Sequence, residues 1–213
     1  MTCRQDDVGR HPMRNLDECG SSSPGRHGVI GQHLIPMLVA EGHVVAGMTR
    51  TPGKAERLRS LGAEPIVCDV FDRDTLFKVV DRFAPEVVIH QLTDLPDDAE
   101  LILSCTEANN RMRREGTTNL VDAAQRCGVR VIAQSVAWPL PGDGGAAVAF
   151  HERKVLGANG VIVRYGRFFG PGTYFEGEPP PAPRVHVADA ARRTLAVLDV
   201  SSGVTLIIES PLD

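Results

Sequence analysis

No Cys-x-x-Cys pair occurs in this 213-residue chain. Its five cysteines, Cys3, Cys19, Cys68, Cys105 and Cys127, are scattered and odd in number, which argues against a disulfide framework or a zinc site. No Cys/His/Asp cluster has metal-ligand spacing, so no metal is expected. No apolar run approaches the roughly 20 residues that cross a membrane. Met1 to Pro24 lacks the apolar core of a secretory signal. A cytoplasmic protein with no membrane partner is expected. Basic residues do not exceed acidic ones, 23 against 27, which excludes a broad nucleic-acid face. A Gly-x-Ser-x-Gly elbow is missing, which argues against a hydrolase of that type. Aromatics are scarce, and Tyr165 and Tyr174 are the only tyrosines.

What is present begins with Gly25-Arg26-His27-Gly28-Val29-Ile30-Gly31. Three glycines at this spacing open an amphipathic helix, Gln32 to Glu41. The first permits a tight turn, the second lets backbone approach a pyrophosphate, and the third lets the helix pack on a strand. The alternative reading is a glycine-rich surface loop.

From Gly25 onward, short apolar strands alternate with amphipathic helices. Strands are expected at 43–48, 64–70, 86–90, 129–134, 160–165 and 204–208. Helices are expected at 55–61, 72–83, 108–127, 146–156 and 187–198. Asp72 is a good N-cap, and Gly42, Gly62 and Gly128 close their helices. Apolar strands alternating with helices predict a parallel sheet buried on both faces. The fold class is therefore α/β, a Rossmann-type doubly wound parallel sheet with a much reduced C-terminal substrate region. Residues 25–213 form one domain. Residues 1–24 are polar and read as irregular or disordered.

Several strings resemble the short-chain dehydrogenase/reductase superfamily, closest to its extended, NAD-dependent epimerase/dehydratase-like branch. They are the glycine turn, Cys68-Asp69-Val70, and the strand Val88-Ile89-His90-Gln91-Leu92. Further along are Glu115-Gly116-Thr117-Thr118-Asn119-Leu120, Arg164 to Gly172, and Val185-His186-Val187-Ala188-Asp189. The resemblance covers about residues 25–210. It implies a nicotinamide dinucleotide cofactor, a small-molecule substrate and a homodimer built on the helices ending at Cys127 and Leu156. The sequence departs from the pattern in two places. The position of the apolar strand before the glycine turn holds Asn15 to Pro24, which does not read as a central strand. The substrate half is short, which implies a small, open or partly borrowed pocket.

The resemblance assigns cofactor contacts to Gly25, Gly28, Ile30, Gly31, Asp69, Val70, Gln91, Leu92 and Lys154. Arg50, at the end of the second strand where NAD enzymes carry an acidic residue, can pair a 2′-phosphate. NADP is therefore favoured, with NAD the alternative. The alternative reading of Arg50 is a solvated basic turn, and that of Asp69 a turn cap. The superfamily's chemistry uses a tyrosine, a lysine four residues later and a strand-end serine. Lys154 is placed at the lysine position, which puts Phe150 where the tyrosine belongs. Substitute catalytic candidates are Ser135, His151, which can titrate near neutral pH, and Tyr165. Their alternative readings are a strand-end donor, a surface helix residue and a packing residue. His90 reads as a core histidine, and Trp138 as a pocket or loop residue.

The leading functional expectation is an NAD(P)-dependent oxidoreductase or epimerase/dehydratase-like enzyme acting on a small polar carbonyl or hydroxyl substrate. Two alternatives are a catalytically impaired dinucleotide-binding or regulatory protein and a non-redox pseudo-dehydrogenase.

Overall fold

Strand and helix alternate along the chain, whose computed structural model describes residues 12–16 and 28–209. In order they are β1 (Pro12–Leu16), α1 (Gly31–Ala40), β2 (Val44–Thr49), α2 (Ala55–Ser60), β3 (Glu64–Val67), α3 (Arg73–Phe83) and β4 (Val87–His90). Then come α4 (Thr106–Arg111), α5 (Thr117–Arg126), β5 (Arg130–Val136), α6 (Gly142–Gly157), β6 (Val161–Tyr165), β7 (Arg167–Phe169), β8 (Arg184–His186), α7 (Val187–Leu195) and β9 (Gly203–Ile207). Seven strands pair in the order β3-β2-β1-β4-β5-β6-β9, all parallel, and β7 pairs with β8 in a separate ribbon. This is the Rossmann arrangement. Its chain order reverses between β1 and β4, where such sheets open a crevice at their carboxyl ends.

Strand alternation divides the core in two. Val87, Ile89, Val161 and Val163 join Leu34, Ile35 and Leu38 of α1 and Ala190 and Ala191 of α7. Val88, Val131 and Ile162 face the other way, onto Leu76 of α3, Leu120 and Val121 of α5, and Val155 of α6. Local signals hold the helix ends. Asp72 caps α3 by accepting from the Thr75 N–H at 3.1 Å. Gly128, at φ +68°, leads the chain out of α5.

Two sequence expectations are corrected. Residues 1–24 are not irregular throughout, because Pro12–Leu16 is a central strand. Met13 lies opposite both Val45 of β2 and Val87 of β4. Parallel neighbours on both sides leave backbone N–H and C=O groups that a strand between them satisfies, whatever its side chains. Residues 17–27, with the first glycine of the turn, Gly25, lie outside the described residues. The expected continuous helix at 108–127 is interrupted: α4 and α5 are joined by a π-helical turn, Met112–Gly116. Such turns rotate the helix face and concentrate at functional sites.

Candidate functional site

At the carboxyl ends of β4, β5 and β6 lies a cavity of about 590 Å³. Its floor is Gln91, Gln134, Ser135 and Tyr165, and one wall is the α4–α5 connection. Trp138, Phe168, Tyr174 and Phe175 form an aromatic side. The Tyr174 hydroxyl donates to the Pro96 carbonyl, which ties the two covering loops together. Of the alternatives expected, a small, open or partly borrowed pocket, the described cavity is not small and is mainly apolar.

Buried under the floor is a directional hydrogen-bond chain. The Leu92 N–H can only donate, so His90 Nδ1 accepts it at 3.2 Å. The neutral ring then carries its proton on Nε2, 3.0 Å from Thr117 Oγ1. Thr117 passes its own proton to His151 Nδ1 at 2.7 Å. His151 Nε2 donates to the Gln134 carbonyl at 2.9 Å. The two rings meet edge to face, with centroids 5.2 Å apart. Burial holds His90 well below the usual histidine range, and the neighbouring His151 adds to this. Burial also takes His151 down to about 4, partly opposed by its bond to Gln134 and helped by the Arg113 charge. The expectation that His151 titrates near neutral pH is thus corrected: it is a neutral, fully bonded ring whose edge lines the cavity.

The register of α6 is also corrected. Its buried face carries Gly144, Ala147, His151 and Val155. Phe150 is on the outer side, 36% exposed. Lys154 does not line the cavity. Its Nζ donates to Asp122 Oδ1 at 2.7 Å, and Arg73 meets the same carboxylate at 2.9 Å. His151, and not Lys154, is therefore the α6 side chain that lines the cavity, with Ala147 buried one turn before it.

Ser135 lines the cavity, but its hydroxyl proton goes to Glu152 Oε1 at 2.6 Å. Burial pushes the Glu152 carboxyl up. The Arg164 fork, at 2.9 and 2.5 Å, and the Ser135 hydroxyl together hold it below the ordinary carboxylate value. Tyr165 is 2% exposed. Thr194 gives its proton to the Ala190 carbonyl, so the Tyr165 hydroxyl donates to Thr194 at 2.7 Å. Neither hydroxyl has a proton free for a ligand in this arrangement.

The cofactor side fits a dinucleotide. Gly28 has φ +60° and lines the cavity with Ile30. The α1 N-terminus has no side-chain cap and no acidic residue in its first turn, and Gly31 is buried at its start. The Gln32, His33 and Leu34 N–H groups donate to the Gly28 and Ile30 carbonyls, so what this end offers an anion is chiefly the positive end of the helix dipole. Arg50, Asp69, Val70 and Leu92 line a second, shallow pocket beside the cavity. Asp69 caps its own turn by accepting from the Phe71 N–H at 2.9 Å. Arg50 is ion-paired with Asp94 at 2.7 Å, a partner the sequence did not reveal. Gln91 is 3% exposed, and neither side-chain amide atom has a partner. Among the described residues, no group of three His, Cys, Asp or Glu side chains could hold a metal, and no helix is long and apolar enough to cross a membrane.

Sequence reasoning missed Thr117, Asn110 and Arg113. Their signal is a polar stripe, Thr106-Asn109-Asn110-Arg113-Thr117, at steps of three and four on a helix. On a surface helix the stripe reads as a solvated face. Here Asn109 and Asn110 are buried, Arg113 is half-buried, and all three line the cavity.

A family model described as NAD dependent epimerase/dehydratase matches residues 24–144. A 3-diazoavenalumate denitrifying reductase from a Streptomyces species is 36% identical over 177 residues, covering 70% of this chain. The chain spans 56% of that relative's length. Among solved structures, the Thermus thermophilus UDP-glucose 4-epimerase in complex with NAD superposes with a TM-score of 0.70 at 20% identity, covering 92% of this chain and 78% of that one. The Bacillus anthracis dTDP-4-dehydrorhamnose reductase in complex with NADP gives 0.67 at 14% identity, covering 96% and 77%. These structural likenesses carry the fold.

Proposed function

The chain belongs to the NAD dependent epimerase/dehydratase family, and from that premise we propose that it is a nicotinamide-dinucleotide-dependent reductase of an aromatic electrophile that needs no proton from the protein. The observation that carries this reading is the cavity-facing side of α6, where the bonded, neutral His151 stands and no tyrosine or lysine of this helix lines the cavity.

The α1 N-terminus with Gly28, Ile30 and Gly31 would hold the pyrophosphate, and Val70 and Leu92 would flank the adenine. Gln91 lines the cavity, with its unpartnered amide atoms shielded from solvent. Arg50 exchanges Asp94 for a 2′-phosphate, which favours NADP over NAD. The bound dinucleotide supplies a hydride and is left oxidised. A hydride added to a carbonyl leaves an alkoxide that must be protonated, and His151, Ser135 and Tyr165 have their protons committed elsewhere. A diazo-bearing aromatic carbon does not make that demand. It gains the hydride, a C–H bond forms, and the C–N bond breaks with its electron pair leaving on dinitrogen. The Streptomyces relative is named as a denitrifying reductase of a diazo compound, and the aromatic wall of this cavity suits a planar ring.

Thermal-shift titration with NADPH and NADH tests the binding half, since a ligand of the native state raises the melting temperature by mass action. Loss of reduced-nicotinamide absorbance with arenediazonium salts, against a panel of aldehydes and ketones, tests the chemistry. Turnover of diazonium salts alone supports the reading. Carbonyl turnover overturns it, and binding without turnover of either favours a non-catalytic dinucleotide-binding protein. The outer faces of α5 and α6, with exposed Phe150, make the proposed homodimer contact. A monomeric mass by light scattering removes that contact.

A further inference from the structure

Among the described residues, Arg113 has no hydrogen-bond or ion-pair partner, although it is half-buried in the wall of an apolar cavity. It sits on the π-helical turn between α4 and α5. Burial lowers its affinity for its proton, and its charge is felt at His151. Of the other cations around the site, Arg164 is matched by Glu152 and Arg50 by Asp94, while Arg167, which also lines the cavity, is stacked on the Trp138 ring and reaches the Pro181 carbonyl. A guanidinium withdrawn from water without a counter-ion is unfavourable, and proteins keep one where a ligand completes it.

Two neighbours on the cavity wall are also incomplete. Asn110, 3% exposed, gives its amide N–H to Asp143 at 2.9 Å, but its Oδ1 has no partner. Gln91, equally buried, has neither amide atom paired. Buried polar atoms are almost always satisfied in native proteins, but these three amide atoms are shielded from solvent, and the unmet group that reaches the cavity is the Arg113 fork of cationic donors. Around them the walls are aromatic and aliphatic.

We propose that Arg113 is the counter-ion of a substrate carboxylate, and that the cavity selects aromatic carboxylic acids. The inference deepens the proposed function by naming the substrate's anionic group. In the proposed function the dinucleotide's phosphates lie at the α1 N-terminus, and its 2′-phosphate at Arg50. The Arg113 fork remains for a planar, bidentate acceptor, the geometry a carboxylate presents.

The test uses trans-cinnamate and its neutral isostere trans-cinnamamide as probes, with binding to the full chain measured calorimetrically, with and without NADP⁺. The wild type should bind the acid and not the amide. Arg113→Gln should weaken cinnamate by roughly tenfold to a hundredfold, and Arg113→Lys should recover part of the loss. NADP⁺ affinity should stay within about threefold of wild type in both variants, since the phosphates are held elsewhere. Removing an unpaired buried charge should also raise the melting temperature of the ligand-free protein, which separates lost binding from lost folding. Equal binding of acid and amide, an Arg113→Gln variant that binds cinnamate like wild type, or parallel loss of NADP⁺ and cinnamate each overturns the carboxylate assignment. Arg113-dependent cinnamate binding in a chain that binds no dinucleotide upholds this site and sinks the proposed function instead.

Discussion

Thr117 Oγ1 lies 2.7 Å from His151 Nδ1, and that contact fixes the imidazole with its proton on Nε2, turned towards the Gln134 carbonyl. With His90 feeding the same hydroxyl from the other side, two histidines that would ordinarily titrate near neutrality become neutral connectors between β4, α5, β5 and α6. Among the described residues, the two imidazoles that line the cavity are thus both held neutral.

This arrangement has a consequence for stability against pH. His151 has a folded-state value of about 4, below the unfolded value of 6.5. The unfolded chain therefore binds the extra proton between these values. Stability is full above about pH 6.5 and falls as the pH drops towards 4. From His151 alone, the free energy of unfolding should be about 2 kcal/mol lower at about pH 5 than at about pH 7. The shift at His90 has the same sign. Denaturant titrations at the two pH values, on wild type and His151→Gln, check this. The variant should lose much of the dependence, and an equally steep variant would show that His151 is not its source.

Lys154 is tied to Asp122 on the side of α6 away from the cavity. Lys154→Ala should therefore leave dinucleotide affinity and turnover within about twofold of wild type, and change stability by no more than about 1 kcal/mol. Calorimetric binding of NADPH to the purified variant is sufficient. A tenfold loss of affinity would place the lysine back at the nicotinamide ribose.

Ser135 gives its proton to Glu152, which is itself held by Arg164. A serine that polarises a carbonyl must donate to the substrate instead. Ser135→Ala is expected to slow turnover by less than about fivefold, whereas removal of a true transition-state donor costs about a hundredfold or more. The ratio of kcat values decides between the two. Arg164→Leu should be the more damaging change, because it strands a buried carboxylate, and its cost should be about 2 kcal/mol in the unfolding free energy.

The sheet was legible where each strand is buried on both faces. Val87 to His90 and Val161 to Tyr165 read as apolar runs because both surfaces are covered by helices. β1 was not legible, because Pro12–Leu16 owes its place to the open edges of β2 and β4 rather than to its own apolar content. The site was partly legible. Gly28, Gln91 and Ser135 line the cavity, and Asp69 lines the shallow pocket. On α6, the four-residue spacing of Phe150 and Lys154 mimicked the tyrosine–lysine pair. The packed face is set instead by Gly144, Ala147, His151 and Val155. Arg113 was missed although it keeps helical spacing with Asn109, Asn110 and Thr117, because a polar stripe on one helix face reads as a solvated surface.

Cofactor choice turns on Arg50 and Asp94. The two side chains form a 2.7 Å ion pair, with the carboxylate largely shielded from water, at 14% exposure. A 2′-phosphate competes with Asp94 for the guanidinium, and a 2′-hydroxyl does not. Asp94→Asn should therefore tighten NADP⁺ binding relative to NAD⁺, by roughly threefold to tenfold. Arg50→Ala should remove the preference altogether and leave NAD⁺ affinity near wild type. Parallel titrations of both cofactors on the three proteins give the ratios directly. If Asp94→Asn weakens NADP⁺ and NAD⁺ alike, the ion pair orders the adenosine pocket and does not tune its selectivity. If Arg50→Ala keeps the wild-type ratio, the 2′-phosphate is read by another cation and the assignment of Arg50 falls.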